Sequence, residues 1–153
     1  MKRMKSGFTL IEILIAITLM VILMGIYFLV ANPAGQLASS RNSERLLHLQ
    51  AIMNAIRQNV ADQTTGQFSC SSGPLPTSSA DMASASGTGY YDIAPCLVPT
   101  YLFTLPFDPS ASSSRYTSVS DYDTGYTVVI DASGTITLSA PYAELGKTIS
   151  VSR

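Results

Sequence analysis

Few residues of this 153-residue chain are placed to do chemistry, and the first of them is Glu12. It stands in the stretch KSGFTLIEIL, residues 5–14, at the mouth of an apolar run in which residues 13–31 carry no charge. A carboxylate beside a hydrocarbon slab is costly and is ordinarily paired or functional. Thr9 offers a local partner. Thr-x-x-Glu ahead of an apolar run reads as a capping box, with Thr9 as N-cap and Glu12 at the third helical position. The helix dipole also favours an acid there. That local role and a pairing role outside the chain are compatible.

Two cysteines, Cys70 and Cys96, lie in a Ser-, Gly- and Pro-rich region, and no CxxC occurs. The single histidine, His48, sits on another segment, so a zinc site lacks ligands. A Cys70–Cys96 disulfide is the expectation over two unpaired buried thiols, and it requires an oxidising compartment. Closing that loop stabilises a fold by about 3–4 kcal/mol in the chain-entropy model. His48, four residues after Glu44, reads as a solvated helix-face pair worth roughly a few tenths of a kcal/mol. With no His/Cys/Asp cluster, phosphate loop or nucleophile motif, no catalytic residue is assigned and no enzyme is expected.

The elements that must position these residues begin with the apolar run, ILIAITLMVILMGIYFLVA. As a helix it is about 28 Å long, close to the bilayer core of about 30 Å. Lys2, Arg3 and Lys5 precede it and place the N-terminus in the cytoplasm. A secretory signal peptide fits poorly: the run exceeds the usual apolar core of about 7–15 residues, and Pro33 spoils the cleavage region. A plain membrane anchor accounts for the run but not for Gly7 or Glu12.

From Phe8 onward there are six basic against ten acidic side chains, net −4. That mildly acidic body has no Lys/Arg cluster, so nucleic acid is not indicated as a partner. A kink is expected near Pro33. Beyond it, Leu46, Leu49, Met53, Ile56 and Val60 recur at spacings of three and four, which predicts an amphipathic helix over residues 36–63. Arg41, Glu44, Arg45, His48 and Arg57 read as largely off that stripe. Something must cover the apolar face.

Residues 66–100 read mostly as loop, because SCSSGPLPTSSADMASASGTG cannot build its own core. In the proline-rich stretch that follows, Tyr101, Leu102, Phe103 and Phe107 are expected to pack. GYTVVI, DASG and TITLS together predict a hairpin with Gly134 in the loop, and Ile136 and Leu138 alternate with polar residues. KTISVS repeats the alternation with Ile149 and Val151, and SRYTSVS adds an earlier strand. A small antiparallel sheet lying on the amphipathic helix satisfies both apolar faces, an α+β fold.

KSGFTLIEILIAITLMVIL closely resembles the N-terminus of type IV pilins and of the related pseudopilins of type II secretion. Their signature is a short basic leader, a Gly, then Phe-Thr-Leu-Ile-Glu and an unbroken apolar helix. Here it is Gly7, Phe8, Thr9, Leu10, Ile11, Glu12, and the likeness covers roughly residues 1–30. The resemblance implies that a membrane-embedded prepilin peptidase cuts after Gly7 on the cytoplasmic side and N-methylates Phe8. The apolar segment is then retained, and Glu12 of an incoming subunit meets the Phe8 amine of its neighbour. The physical chemistry is coherent. A bare Gly admits close backbone approach, and a basic leader is held at the anionic cytoplasmic face. The new α-amine, with a pKa of about 8, is mostly cationic at neutral pH. The resemblance further implies a long N-terminal helix, membrane half plus amphipathic half, packed under the sheet.

LPFDPS is similar to the Pro-x-Asp-Pro stretch of major pseudopilins, which hold a calcium ion in a nearby loop. Asp108, Asp121 and Asp123 are the available oxygen ligands, and calcium takes six to eight. The chain departs from that pattern, with Ser110 and Ala111 where Trp-Gly usually follows and no Trp at all. The other reading is that Asp121, Asp123 and Gly125 form a turn.

The expected organisation is a cleaved leader at 1–7, a transmembrane or filament-core helix at 8–31, a kink and amphipathic helix at 32–65, and an exported head at 66–153. The expected function is a structural subunit of a type IV pilus-like filament or type II secretion pseudopilus. Its partners would be other pilin subunits, the prepilin peptidase, the inner-membrane assembly machinery and the membrane. It would sit in the cytoplasmic membrane as a single-pass protein, N-terminus inside, and then in an extracytoplasmic filament. The alternative is a single-pass anchored extracytoplasmic binding module that does not polymerise.

Overall fold

The computed structural model describes residues 7–85 and 87–153. Lys2, Arg3, Lys5 and Ser6 of the expected leader lie outside the described residues. The chain divides into two compact units, Met1–Leu37 and Ala38–Arg153.

In the first unit, helix α1 spans Leu10–Ala31, about 33 Å at 1.5 Å per residue. It is long and apolar enough to cross a membrane. Its hydroxyl at Thr18 donates to the Leu14 carbonyl at 2.7 Å, so this polar group is satisfied within the helix. The helix stops at Asn32, which takes the left-handed conformation with φ 36°. Asn32 also starts the next helix, α2 (Pro33–Asp62). Its side-chain oxygen accepts from the Gly35 amide at 3.2 Å, and its carbonyl accepts from Gln36. Pro33 at the first helical position has no amide to leave unpaired. The break expected near Pro33 is thus made by Asn32.

The second unit holds the rest of α2 and a mostly antiparallel sheet, an α+β arrangement. Its elements are β1 (Ala80–Ala83), β2 (Tyr90–Tyr91), the one-turn helix α3 (Ala94–Leu97), β3 (Arg115–Ser118), β4 (Asp121–Ile130), β5 (Ile136–Ser139) and β6 (Ser150–Ser152). The strand order is β2-β1-β4-β5-β6, with β3 also on β4. One edge of β4 pairs with β1, Ala80 opposite Val128. Its other edge is shared. β3 takes the start, Tyr116 opposite Tyr122, and β5 takes the end, Val128 opposite Leu138. Between those stretches Gly125 has φ +68°, and the Asp108 amide donates to the Thr124 carbonyl at 2.8 Å.

The core joins Leu49, Ile52, Met53 and Ile56 of α2 to Met82, Tyr126, Val128 and Leu138 of the sheet, with Ile93, Leu97 and Leu105 beside them. Ile136 and Leu138 face inward as their alternation predicts. The predicted hairpin forms between β4 and β5, with Gly134 at φ +85°.

Residues 66–100 are mostly loop, as expected, with β1, β2 and α3 as short elements among them and Met82 fully buried. β1 is held by pairing with β4, nearly fifty residues away, so composition alone hides it. Three expectations need correction. Asp121, Asp123 and Gly125 lie within β4, not in a turn; the chain turns at residues 119–120. Phe103 and Phe107 do not pack: they are 91% and 41% exposed, and Leu105 is buried in their place. A turn over 98–101 and a bend at 103–104 remove any regular alternation there. Finally, Leu46 is exposed while Arg45 is completely buried. Arg45, Leu49, Ile52 and Ile56 follow spacings of four, three and four, so the arginine stands on the core stripe.

Candidate functional site

The N-terminal site is built by the first helical turn. Residues 7–9 are non-helical, and Phe8 is exposed. Among the described residues nothing lies within 4 Å of where a side chain on Gly7 would begin. Thr9 takes an extended conformation, φ −83° and ψ 152°, as the N-cap of α1. Its hydroxyl accepts from the Glu12 amide at 3.3 Å. In return Glu12 Oε2 accepts from the Thr9 amide and from the Thr9 hydroxyl, both at 2.9 Å. The capping box is therefore formed, and it fixes where the helix begins. The peptide bond between Gly7 and Phe8 stands just outside that first turn, between two exposed, non-helical residues.

A second constellation, in the head, was not legible as a site. Arg45 has five N–H donors, and each has an acceptor. Nε donates to Asp108 Oδ2 at 2.7 Å and Nη2 to Asp108 Oδ1 at 3.1 Å. Nη2 also donates to the Ser110 hydroxyl. Nη1 donates to Asn42 Oδ1 at 2.8 Å and to Glu144 Oε2 at 3.0 Å. Glu144 is held again by Arg41, at 2.7 and 2.6 Å. Asn42 binds the Glu144 backbone from both sides: Nδ2 donates to its carbonyl at 2.9 Å and Oδ1 accepts from its amide at 3.0 Å. The Arg45 and Asp108 side chains are wholly buried.

The charges respond accordingly. Arg41 and Arg45 draw the Glu144 carboxyl down to about 2. Burial alone would raise Asp108, but Arg45 and the Ser110 and Ala111 amides outweigh it and the net direction is downward. The hydrogen bond to Asp108 holds Arg45 above its usual value despite burial.

These contacts bear on calcium. Asp108 Oδ1 already accepts from the Ser110 amide at 2.8 Å and the Ala111 amide at 3.0 Å, besides Arg45. Asp121 pairs with Arg115 at 2.7 Å, and Asp123 accepts from the Gly125 amide at 2.9 Å. Among the described residues no group of three or more His, Cys, Asp or Glu side chains could hold a metal. Asp108, Asp121 and Asp123 do not form a donor set that fits calcium.

The Cys70–Cys96 disulfide is formed, with Cα atoms 5.2 Å apart. Buried Asn59 supports it from α2: Oδ1 accepts from the Ser69 amide at 2.9 Å, and Nδ2 donates to the Ser69 carbonyl at 3.1 Å. His48 does more than pair with Glu44, which lies 3.8 Å away. Its Nδ1 is 2.9 Å from the Tyr126 hydroxyl. Burial pushes that phenol up.

Sequence reasoning missed Arg45, Asn42, Asn59 and Glu144. Asn42, Arg45 and Asn59 share one signal, their places in the 42-45-49-52-56-59 stripe. Asn42 and Arg45 are three residues apart, but Asp108 and Glu144, which complete the cluster, are distant in sequence.

Residues 2–28 match the family model described as the prokaryotic N-terminal methylation motif. No curated protein and no solved structure matches the chain. The motif supports the type IV pilin and pseudopilin signature. The chain is prepilin-like, a substrate for a prepilin peptidase and, in general terms, a partner of pilin subunits. Motif and apolar helix together fit a membrane-anchored protein.

Proposed function

We propose that the protein is a structural subunit of a type IV pilus-like filament or a type II secretion pseudopilus. The observation that carries this reading is the methylation motif over residues 2–28, running into a 22-residue apolar helix. The peptidase cuts after Gly7 and methylates Phe8. The protein sits in the cytoplasmic membrane with its N-terminus inside until the machinery there extracts it. Apolar helices then bundle in the filament, and Glu12 of each incoming subunit takes the Phe8 amine of a neighbour. A mis-registered subunit leaves a buried carboxylate unpaired, at a cost of several kcal/mol. No enzymatic activity is part of this reading.

Two substitutions separate the register role of Glu12 from its capping role. Glu12→Ala removes both. Glu12→Gln keeps a capping box, since Gln serves at that position, but removes the charge. Both variants should stay in the membrane fraction, cleaved, and both should lose sheared filament relative to the wild type. Normal filament yield from Glu12→Gln would contradict the register role. A wild-type chain that is cleaved but never polymerises would contradict the subunit reading and favour an anchored binding module.

A further inference from the structure

We propose that Arg45 is the head's built-in cation: its guanidinium holds two irregular segments, residues 107–111 and 142–147, against α2, and does so without calcium. Three observations converge. The five N–H groups of Arg45 are all used, and they reach α2 itself through Asn42, the first segment through Asp108 and Ser110, and the second through Glu144. The carboxylate that a cation would need, Asp108, is filled by Arg45 and two backbone amides. The second segment also carries conformational strain. Leu145 has φ +60°, a left-handed conformation unfavourable for a residue with a Cβ. Such a backbone persists only when its surroundings over-determine it, and the neighbouring Glu144 is tied by Arg41, Arg45 and Asn42.

A planar guanidinium suits this task because its fork meets the Asp108 carboxylate with two parallel bonds and still has donors left for other partners. Lysine, with three donors and a point charge, cannot serve both segments in that geometry. Gly125 makes room for the arrangement: a Cβ there would run into the Ser114 hydroxyl and approach Asp108 Cβ at 3.1 Å. Head folding, and any assembly that depends on it, is thereby insensitive to the calcium concentration outside the cell.

The test uses the full chain in detergent micelles. Thermal unfolding of the wild type should have the same midpoint in excess calcium and in excess EGTA. A midpoint raised by calcium overturns the proposal. In Arg45→Lys, amide exchange should accelerate together at Ser110, Ala111 and Glu144, with or without calcium. Unchanged protection, or protection restored by calcium, overturns it. If Arg45→Lys does not fold in either condition, that is the same result at its extreme, whereas folding rescued by calcium is contrary. Glu144→Gln keeps the Asp108 pair and should loosen the amides near residue 144 while leaving Ser110 and Ala111 protected; loosening of both segments overturns the assignment of Arg45 as the shared anchor.

Discussion

Asp108 lies 63 residues beyond Arg45, yet its carboxylate grips the guanidinium through both oxygens, with neither side chain exposed. A pair this deep is destabilising to break from one side, because the buried Arg45 loses both bonds to Asp108 and keeps only the partly exposed Glu144 as counter-ion. Asp108→Ala should therefore lower head stability by about 3–5 kcal/mol in denaturant titration. Replacing both partners with apolar residues of similar size should recover only the part of that loss due to the stranded charge, since Asn42, Glu144 and the Ser110 and Ala111 amides lose partners as well. If the double variant is as unstable as the single one, the Coulombic account is wrong and the loss comes from packing or from the Ser110 and Ala111 amides.

Acid should unfold the head through the same cluster. Glu144 has its pKa depressed from the ordinary 4.5 to about 2, and Asp108 is depressed as well. A depressed carboxylate stabilises the fold above its unfolded pKa, and that stability is lost as pH falls through the folded value. Stability measured against pH should thus fall between about 4.5 and 2, with little change contributed by these groups above 4.5. Glu144→Gln should flatten part of that acid limb. An identical acid limb in the variant would remove Glu144 from the account.

Loss of the disulfide should act through the unfolded chain. The cysteines are 26 residues apart, so the chain-entropy model gives about 3–4 kcal/mol. Cys70→Ser with Cys96→Ser should lower the unfolding midpoint while amides of β4 and β5 keep their order of protection. An unchanged midpoint would mean that Asn59 and the surrounding core already fix residues 66–97.

Gly125 should tolerate no side chain. Its φ of +68° disfavours one, and a Cβ would meet Ser114 and Asp108. Gly125→Ala should cost on the order of 2 kcal/mol, read from chemical denaturation. At Leu145, exposed and at φ +60°, the reverse holds, and Leu145→Gly should be neutral or stabilising by up to about 1 kcal/mol.

What could be read from sequence was local. Thr9 and Glu12 are three residues apart, and their capping box follows from spacing. Ile136 and Leu138 announce a half-buried strand by alternation, and Gly134 marks the hairpin before them. The helix break was legible at Asn32 and Pro33 together, since the residue before a proline is biased out of the helical region and asparagine tolerates the left-handed one. The rest depends on distant pairing. Met82 is a core residue only because β4 returns beside β1. Arg45 is a core residue only because Asp108 and Glu144 come to meet it. Asn42 and Asn59, both buried on α2, each bind the amide and carbonyl of one loop residue, Glu144 and Ser69. Periodicity gives both a place in the stripe, but neither role is written there.

The central claim concerns the first eight residues and is tested most directly by mass. The full chain is expressed with a prepilin peptidase, recovered from the membrane fraction, and its N-terminus is read by mass spectrometry. The account predicts loss of residues 1–7 and one added methyl group on the Phe8 amine. A chain that keeps its leader, or is cut beyond the apolar helix, contradicts it.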